Sequence, residues 1–247
     1  MLIGTADLKE LGAGAATIEA FLRDPVALGG VECFQLSAEM RISARQAVLP
    51  PALHPTTPAA ISVQAWNVSQ SPWGAFSLAF CRVSCRSGVR ARGFTTRAVA
   101  TTAEATGALR DHFGFPCELG EVQLNRHYDR VDLRVALNDQ QILLLAAIDP
   151  DPLRLEDVQY TGTMNLAQTT RGLRLIQVES NHQATRVERL QARILAFDGS
   201  SWGNPLLDPY HVIASSIALE DLTLPPVRFQ CKPDELAFTG TESVNDD

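Results

Sequence analysis

Cys117 and Glu118 stand side by side directly after a Gly-Phe-Pro stop at residues 114–116. A cysteine attacks only as its thiolate, so Cys117 needs a base within reach. His112 is five residues upstream, at what reads as the end of a helix. A carboxyl such as Glu118 becomes a general acid or base when apolar surroundings raise its pKa. The bland alternative is a buried thiol that fills space beside a solvated carboxylate.

Glu179 is the next candidate. On a strand, Leu173, Leu175, Gln177 and Glu179 share one face, which passes from apolar to polar and so from core toward pocket. Arg90 and Arg92 also share a face, where paired guanidinia either clamp a carboxylate or line a solvated surface. Trp66 and Trp73 flank the segment NVSQSP, and either ring could wall a cavity or simply pack in the core. Gln64 has the parity to hydrogen-bond a carbonyl from inside. In the polar run Arg126-His127-Tyr128-Asp129, Arg126 and Tyr128 fall on one face and His127 and Asp129 on the other. An outer surface is the simpler reading of that run. His182 and His211 sit beside turn-forming residues and read as exposed.

Other chemistries lack their signatures. There is no nucleophile-elbow motif, so no Ser/His/Asp triad is assigned, and no phosphate loop or dinucleotide fingerprint. The five cysteines are scattered without a CxxC pair. Cys81 and Cys85 have no second ligand pair, which argues against zinc and against a disulfide framework.

The elements that must hold these residues read mainly as strands. Period-two patterns run through residues 76–80, 89–100, 122–136, 141–147, 160–167, 173–180 and 212–224. Residues 187–197 suit strand or helix, and their surroundings favour strand. Asn138-Asp139 predicts a tight hairpin turn. The clearest helix is AEATGALRDHF at 103–113, with Thr101 or Thr102 as its N-cap. A second helical pattern falls at 15–23 in a lead-in of residues 1–30, and the polar tail 238–247 should fray. Residues 46–60 hold four prolines and read as a cover loop. With 198–210 they are expected to rim and gate a cavity.

The chain has 247 residues and no internal repeat, which suits one domain, 1–247. So many strands should curl into a closed antiparallel β cone or barrel with one or two helices, mainly β in class and able to enclose a ligand cavity. Net charge is −7, from 21 basic and 28 acidic residues, so nucleic acid and anionic membranes are poor partners. The longest apolar run, Ile142 to Ile148, is seven residues, far below the roughly 20 of a membrane helix. No signal-peptide pattern opens the chain, so a soluble cytoplasmic protein is expected. Of the 21 basic residues only Lys9 and Lys232 are lysines, each near an end.

The ordered segments SPWGAFSLAF, RGFTTRAVATTAEATGALRDHFGFP, ILLLAAIDPDPL, GLRLIQVES and LLDPYHVIASSIALEDLTLP together resemble the acetoacetate decarboxylase superfamily over residues 31–230. The most specific piece is DHFGFPCELGEVQL. The resemblance implies a cone-like antiparallel β fold around an apolar cavity, and assembly into dimers or larger rings. In the family two lysines follow the proline: the first forms a Schiff base with a β-keto acid, and the second depresses the first one's pKa. Here those positions are Cys117 and Glu118, neither of which forms an imine. Three further charged family positions fall at Leu78, at Val63 or Gln64, and at Val31. The resemblance therefore implies the fold and cavity but argues against Schiff-base decarboxylation.

The leading expectation is a cofactor-independent enzyme acting on a small or medium carbonyl compound, β-keto or polyketide-like. Its chemistry would be acid/base: dehydration, isomerisation or cyclisation. Glu118, Cys117 and Glu179 are its catalytic candidates, and Trp73, Trp66, Gln64, Arg92 and Tyr128 its substrate contacts. The alternative readings are a non-catalytic small-molecule binding protein and a structural subunit on the same fold.

Overall fold

The computed structural model describes residues 2–244. In chain order it runs α1 (Leu8–Ala13), β1 (Ala16–Thr17), β2 (Val26–Met40), β3 (His54–Pro55), β4 (Ala60–Gln70), β5 (Phe76–Ser87) and β6 (Arg90–Ala100). Helix α2 (Ala103–Phe113) follows, then β7 (Cys117–Leu119), β8 (Glu121–Arg126), β9 (Arg130–Leu137) and β10 (Gln140–Pro152). The rest is β11 (Thr163–Thr169), β12 (Gly172–Val178), β13 (Asn181–Phe197), β14 (Pro209–Leu224), β15 (Phe229–Cys231), α3 (Ala237–Gly240) and β16 (Thr241–Ser243).

All strands join one mainly antiparallel sheet, ordered β16-β15-β12-β11-β6-β5-β4-β2-β14-β13-β10-β9-β8. Three short strands lie off this path: β1 pairs with β11, β3 with β5 and β7 with β6. The path is open. The expected closed barrel is not its pairing pattern, because β8 and β16 at the two ends do not bond each other. The sheet nevertheless curls until β8 packs against β4, β5 and β6. Val122 and Leu124 of β8 are buried in that contact, while Glu121, Gln123 and Asn125 face water. A short edge with a polar outer face can stay unpaired in water, so closure is not required.

Central strands are buried on both faces, which produces two apolar clusters. On β4, Ile61, Val63 and Ala65 enter one cluster and Trp66 and Val68 the other. The first cluster fills the curl and is covered by Val48, Leu49, Ala52 and Leu53 of the proline-rich loop. The second lies under α2, which contributes Ala105, Leu109 and Phe113. Thr102 Oγ1 caps α2 by accepting from Ala105 N, and Gly114, at φ 67°, ends it in the left-handed region. The hairpin between β9 and β10 turns on Asn138 and Asp139, at φ 51° and 62°, as their residue types predict.

Three local readings are corrected. The helix expected at 15–23 is absent; α1 ends earlier and Ala16–Thr17 pairs with Ala167 and Gln168 of β11, beyond Thr163 and Met164 where β11 bonds β6. The strand expected through 122–136 is two strands broken at 127–129, where His127 N bonds Arg130 O. The tail is ordered through β16, which pairs with β15; residues 245–247 lie outside the described residues. No helix among the described residues is long and apolar enough to cross a membrane.

Candidate active site

Strand β7 runs parallel to β6, with Cys117 beside Ala98 and Glu118 beside Val99. Neighbouring strand residues point to opposite faces, so the thiol and the carboxylate separate. Cys117 enters the second cluster, 1% exposed. Desolvation pushes its thiol up to about 12, against a weaker downward pull from Thr106 and Arg110. At that value the thiolate is scarce near neutrality, and the burial of Cys117 suits it to packing. Val31 and Leu78, two other positions where the resemblance places charged groups, are fully buried in the same cluster.

Glu118 faces the other way, into a cavity of about 190 Å³. Its Oε1 lies 2.7 Å from Arg97 Nη1. Arg110 and Glu10 join the same wall, so two cations and two carboxylates converge there. Leu11, Val48, Phe94 and Leu166 supply the apolar surface, and Gly203 and Asn204 border it. Both expected rim segments therefore contribute: Val48 from 46–60, Gly203 and Asn204 from 198–210. Arg110 also donates to Cys117 O at 3.1 Å, which ties the last turn of α2 to β7.

The remaining candidates lie elsewhere. Glu179, just past the end of β12, pairs with Arg92, with Nη2 to Oε1 at 2.5 Å and Nη1 to Oε2 at 3.4 Å. Arg92 thus clamps a carboxylate, as its fork geometry suits, but an internal one. The pair lines a separate cleft of about 340 Å³. Trp66 is buried edge-on against Phe80. Trp73 packs against Phe76 and Phe113 rather than walling the Glu118 cavity. Gln64 is buried and donates to Gln35 Oε1 at 3.0 Å. Tyr128 is wholly exposed in the turn after β8, because that turn interrupts the expected strand. His182, read as exposed, has a side chain only 5% exposed, because Tyr160 stacks on its ring at 3.5 Å between centroids.

Sequence reasoning missed Arg97, Arg110 and Glu10. Arg110 had a readable signal, since it stands in the last turn of a capped helix that leads into Cys117-Glu118. Glu10 had none once the lead-in helix was placed at 15–23.

The family profile described as Acetoacetate decarboxylase (ADC) matches residues 14–204. No curated protein matches the chain closely enough to count as a relative. Among solved structures, an acetoacetate decarboxylase from Legionella pneumophila subsp. pneumophila str. Philadelphia 1 is similar, with TM-score 0.71 and 18% identity over 85% of this chain and 88% of that one. The enduracididine biosynthesis enzyme MppR, complexed with pyruvate, has TM-score 0.66 and 14% identity over 85% and 91%. An acetoacetate decarboxylase-like enzyme from Sphingomonas wittichii RW1 has TM-score 0.68 and 14% identity over 86% and 98%. At these identities the likeness is one of fold.

Proposed function

This chain belongs to the acetoacetate decarboxylase family, and from that premise we propose that it is a cofactor-independent acid/base enzyme whose substrate is a small oxo acid. The observation that carries the proposal is the split at β7: Cys117 is sealed in the core, whereas Glu118 faces a cavity with Arg97 and Arg110. Neither lysine is among the residues that line that cavity. Lys9 is exposed on α1, and Lys232 Nζ pairs with Glu235 Oε1 at 2.6 Å near the C-terminus.

The cavity is smaller than the ~300–1,000 Å³ of sites for drug-sized ligands, which favours a substrate of few heavy atoms. The pyruvate complex of MppR supports an oxo acid as the ligand class for this fold. Arg110 and Arg97 hold the substrate carboxylate and offset negative charge that develops on the carbonyl oxygen. Glu118 removes a proton from the carbon next to the carbonyl, and the C–H electron pair passes into the enolate. Glu118, now a carboxylic acid, returns the proton to carbon for isomerisation or to a departing β-hydroxyl for dehydration.

The test is proton NMR in heavy water with pyruvate and a panel of β-substituted 2-oxo acids. Protein-dependent exchange of the α-protons is expected, falling ~10²–10⁴-fold in Glu118→Gln, the usual range for loss of a general base. Exchange that survives the substitution would remove Glu118 from the chemistry. Ligand line broadening with no exchange would assign a binding protein instead. Rapid carbon dioxide release from acetoacetate would overturn the argument from the buried Cys117.

A further inference from the structure

Behind the Arg92–Glu179 pair lies a hydrogen-bonded chain outside the Glu118 cavity. Ser180 Oγ is 2.8 Å from His182 Nε2, and His182 Nδ1 is 2.8 Å from Glu220 Oε1. Tyr160 Oη donates to Glu220 Oε2 at 2.6 Å and its ring stacks on His182 within 9° of parallel. Burial, reinforced by Glu220, raises the Tyr160 pKa, so the phenol stays a donor. A carboxylate only accepts, so His182 donates its Nδ1–H to Glu220 and leaves the Nε2 lone pair to accept from the Ser180 hydroxyl. The order is nucleophile, base, orienting carboxylate, the arrangement recognised by geometry rather than by sequence position.

Ser180 is half-buried and lines the 340 Å³ cleft together with Arg92, Gln159, Tyr160, Thr161 and Gly162. The Glu220 side chain is fully buried, with His182, Tyr160 and the Cys33 thiol as hydrogen-bond partners. A buried carboxyl costs stability unless it is hydrogen-bonded, and the Tyr160 and His182 contacts meet that need. Glu118, by contrast, lines a different cavity.

We infer that Ser180, His182 and Glu220 form a second, nucleophilic site that hydrolyses short-chain carboxylic esters. Ser180 Oγ attacks the acyl carbon as its proton passes to His182 Nε2, and the carbonyl π pair moves onto oxygen. Arg92, on the wall of the same cleft, is the cation there, and it reaches that oxyanion by giving up one of its two bonds to Glu179. Collapse breaks the ester C–O bond, and the departing alkoxide takes the proton from Nε2. Water then attacks the acyl-serine, giving its proton to His182, and release of the acid returns that proton to Ser180. The polar lining of the cleft favours short acyl groups. The site is independent of the oxo-acid reading.

The test uses the full chain with p-nitrophenyl acetate and, separately, a fluorophosphonate ester followed by intact mass and peptide mapping. Expected are hydrolysis above the solvent rate and a single adduct on Ser180. Ser180→Ala should lose the adduct and ~10³-fold of the hydrolysis. Glu220→Gln, checked for folding by circular dichroism, should lower kcat with KM little changed, the split expected of a positioning residue. Ser180→Ala removes one half-buried hydroxyl and keeps the test valid if the Glu220 variant unfolds. An adduct elsewhere, no adduct at all, or hydrolysis undiminished in Ser180→Ala would overturn the inference.

Discussion

Adjacent residues on a strand face opposite ways, and that parity divides the labour at β7. Cys117 carries a potential nucleophile, but the strand turns it into the core, where desolvation favours the protonated thiol. Cys117→Ala should leave oxo-acid exchange intact, and Cys117 should react with a disulfide reagent far more slowly than a free thiol at pH 7.5. Rapid modification of the native protein would contradict its burial. Arg110 should behave differently. Loss of a charge-assisted hydrogen bond to a substrate carboxylate costs about 1.5–3 kcal/mol. Arg110→Ala should therefore raise KM roughly 10–100-fold with a smaller change in kcat. A change confined to kcat would move Arg110 from binding to chemistry.

Helix α2 sets the position of that strand. Its C-terminus depends on Gly114 in the left-handed region, where an added Cβ would lie 2.9 Å from the Ala167 Cβ and 3.3 Å from Ile176 Cγ1. Gly114→Ala combines the backbone cost of that region, about 1–2 kcal/mol, with a steric clash. A lower urea midpoint is expected, along with weaker oxo-acid binding as β7 shifts; an unchanged midpoint would refute the argument. Thr102→Ala removes the N-cap and should cost about 1 kcal/mol, with a smaller binding defect, because the loss loosens the first turn of α2 and leaves the Arg110–Cys117 tie at its other end in place. Both ends of α2 were legible from residue type alone. The short α1 was not, because an amphipathic pattern at 15–23 competed with it and only pairing with β11 resolved the competition.

Across the whole molecule, the buried thiols should make the fold alkali-sensitive. Cys81, Cys85 and Cys117 are each pushed from 9.0 to about 12, by desolvation above all. The sign follows from linkage: between pH 9 and 12 the unfolded chain releases thiol protons that the folded chain retains. Stability is therefore full below pH 9 and falls above it, by up to about 1.4 kcal/mol per pH unit for each thiol. Urea unfolding from pH 8 to 11 should show this decline, and a Cys81→Ala/Cys85→Ala variant should show a shallower one. Equal slopes would mean that other groups govern alkaline unfolding.

The sequence by itself determined the class of the fold, because period-two patterns, turn residues and a capped helix are local properties. It also singled out residues 117–118 and the two rim segments, through punctuation by Pro and Gly and the order of segments shared with a family. Tertiary structure decided which face each residue occupies. It put Cys117 in the core and Glu118 in the cavity, locked Arg92 to Glu179, and left Tyr128 in water. It alone brought Ser180 and His182 to Glu220, which lies on β14, 38 residues beyond His182. Such a constellation depends on strand register and on the Tyr160 ring that covers it, and neither is written in the spacing of the residues that meet there.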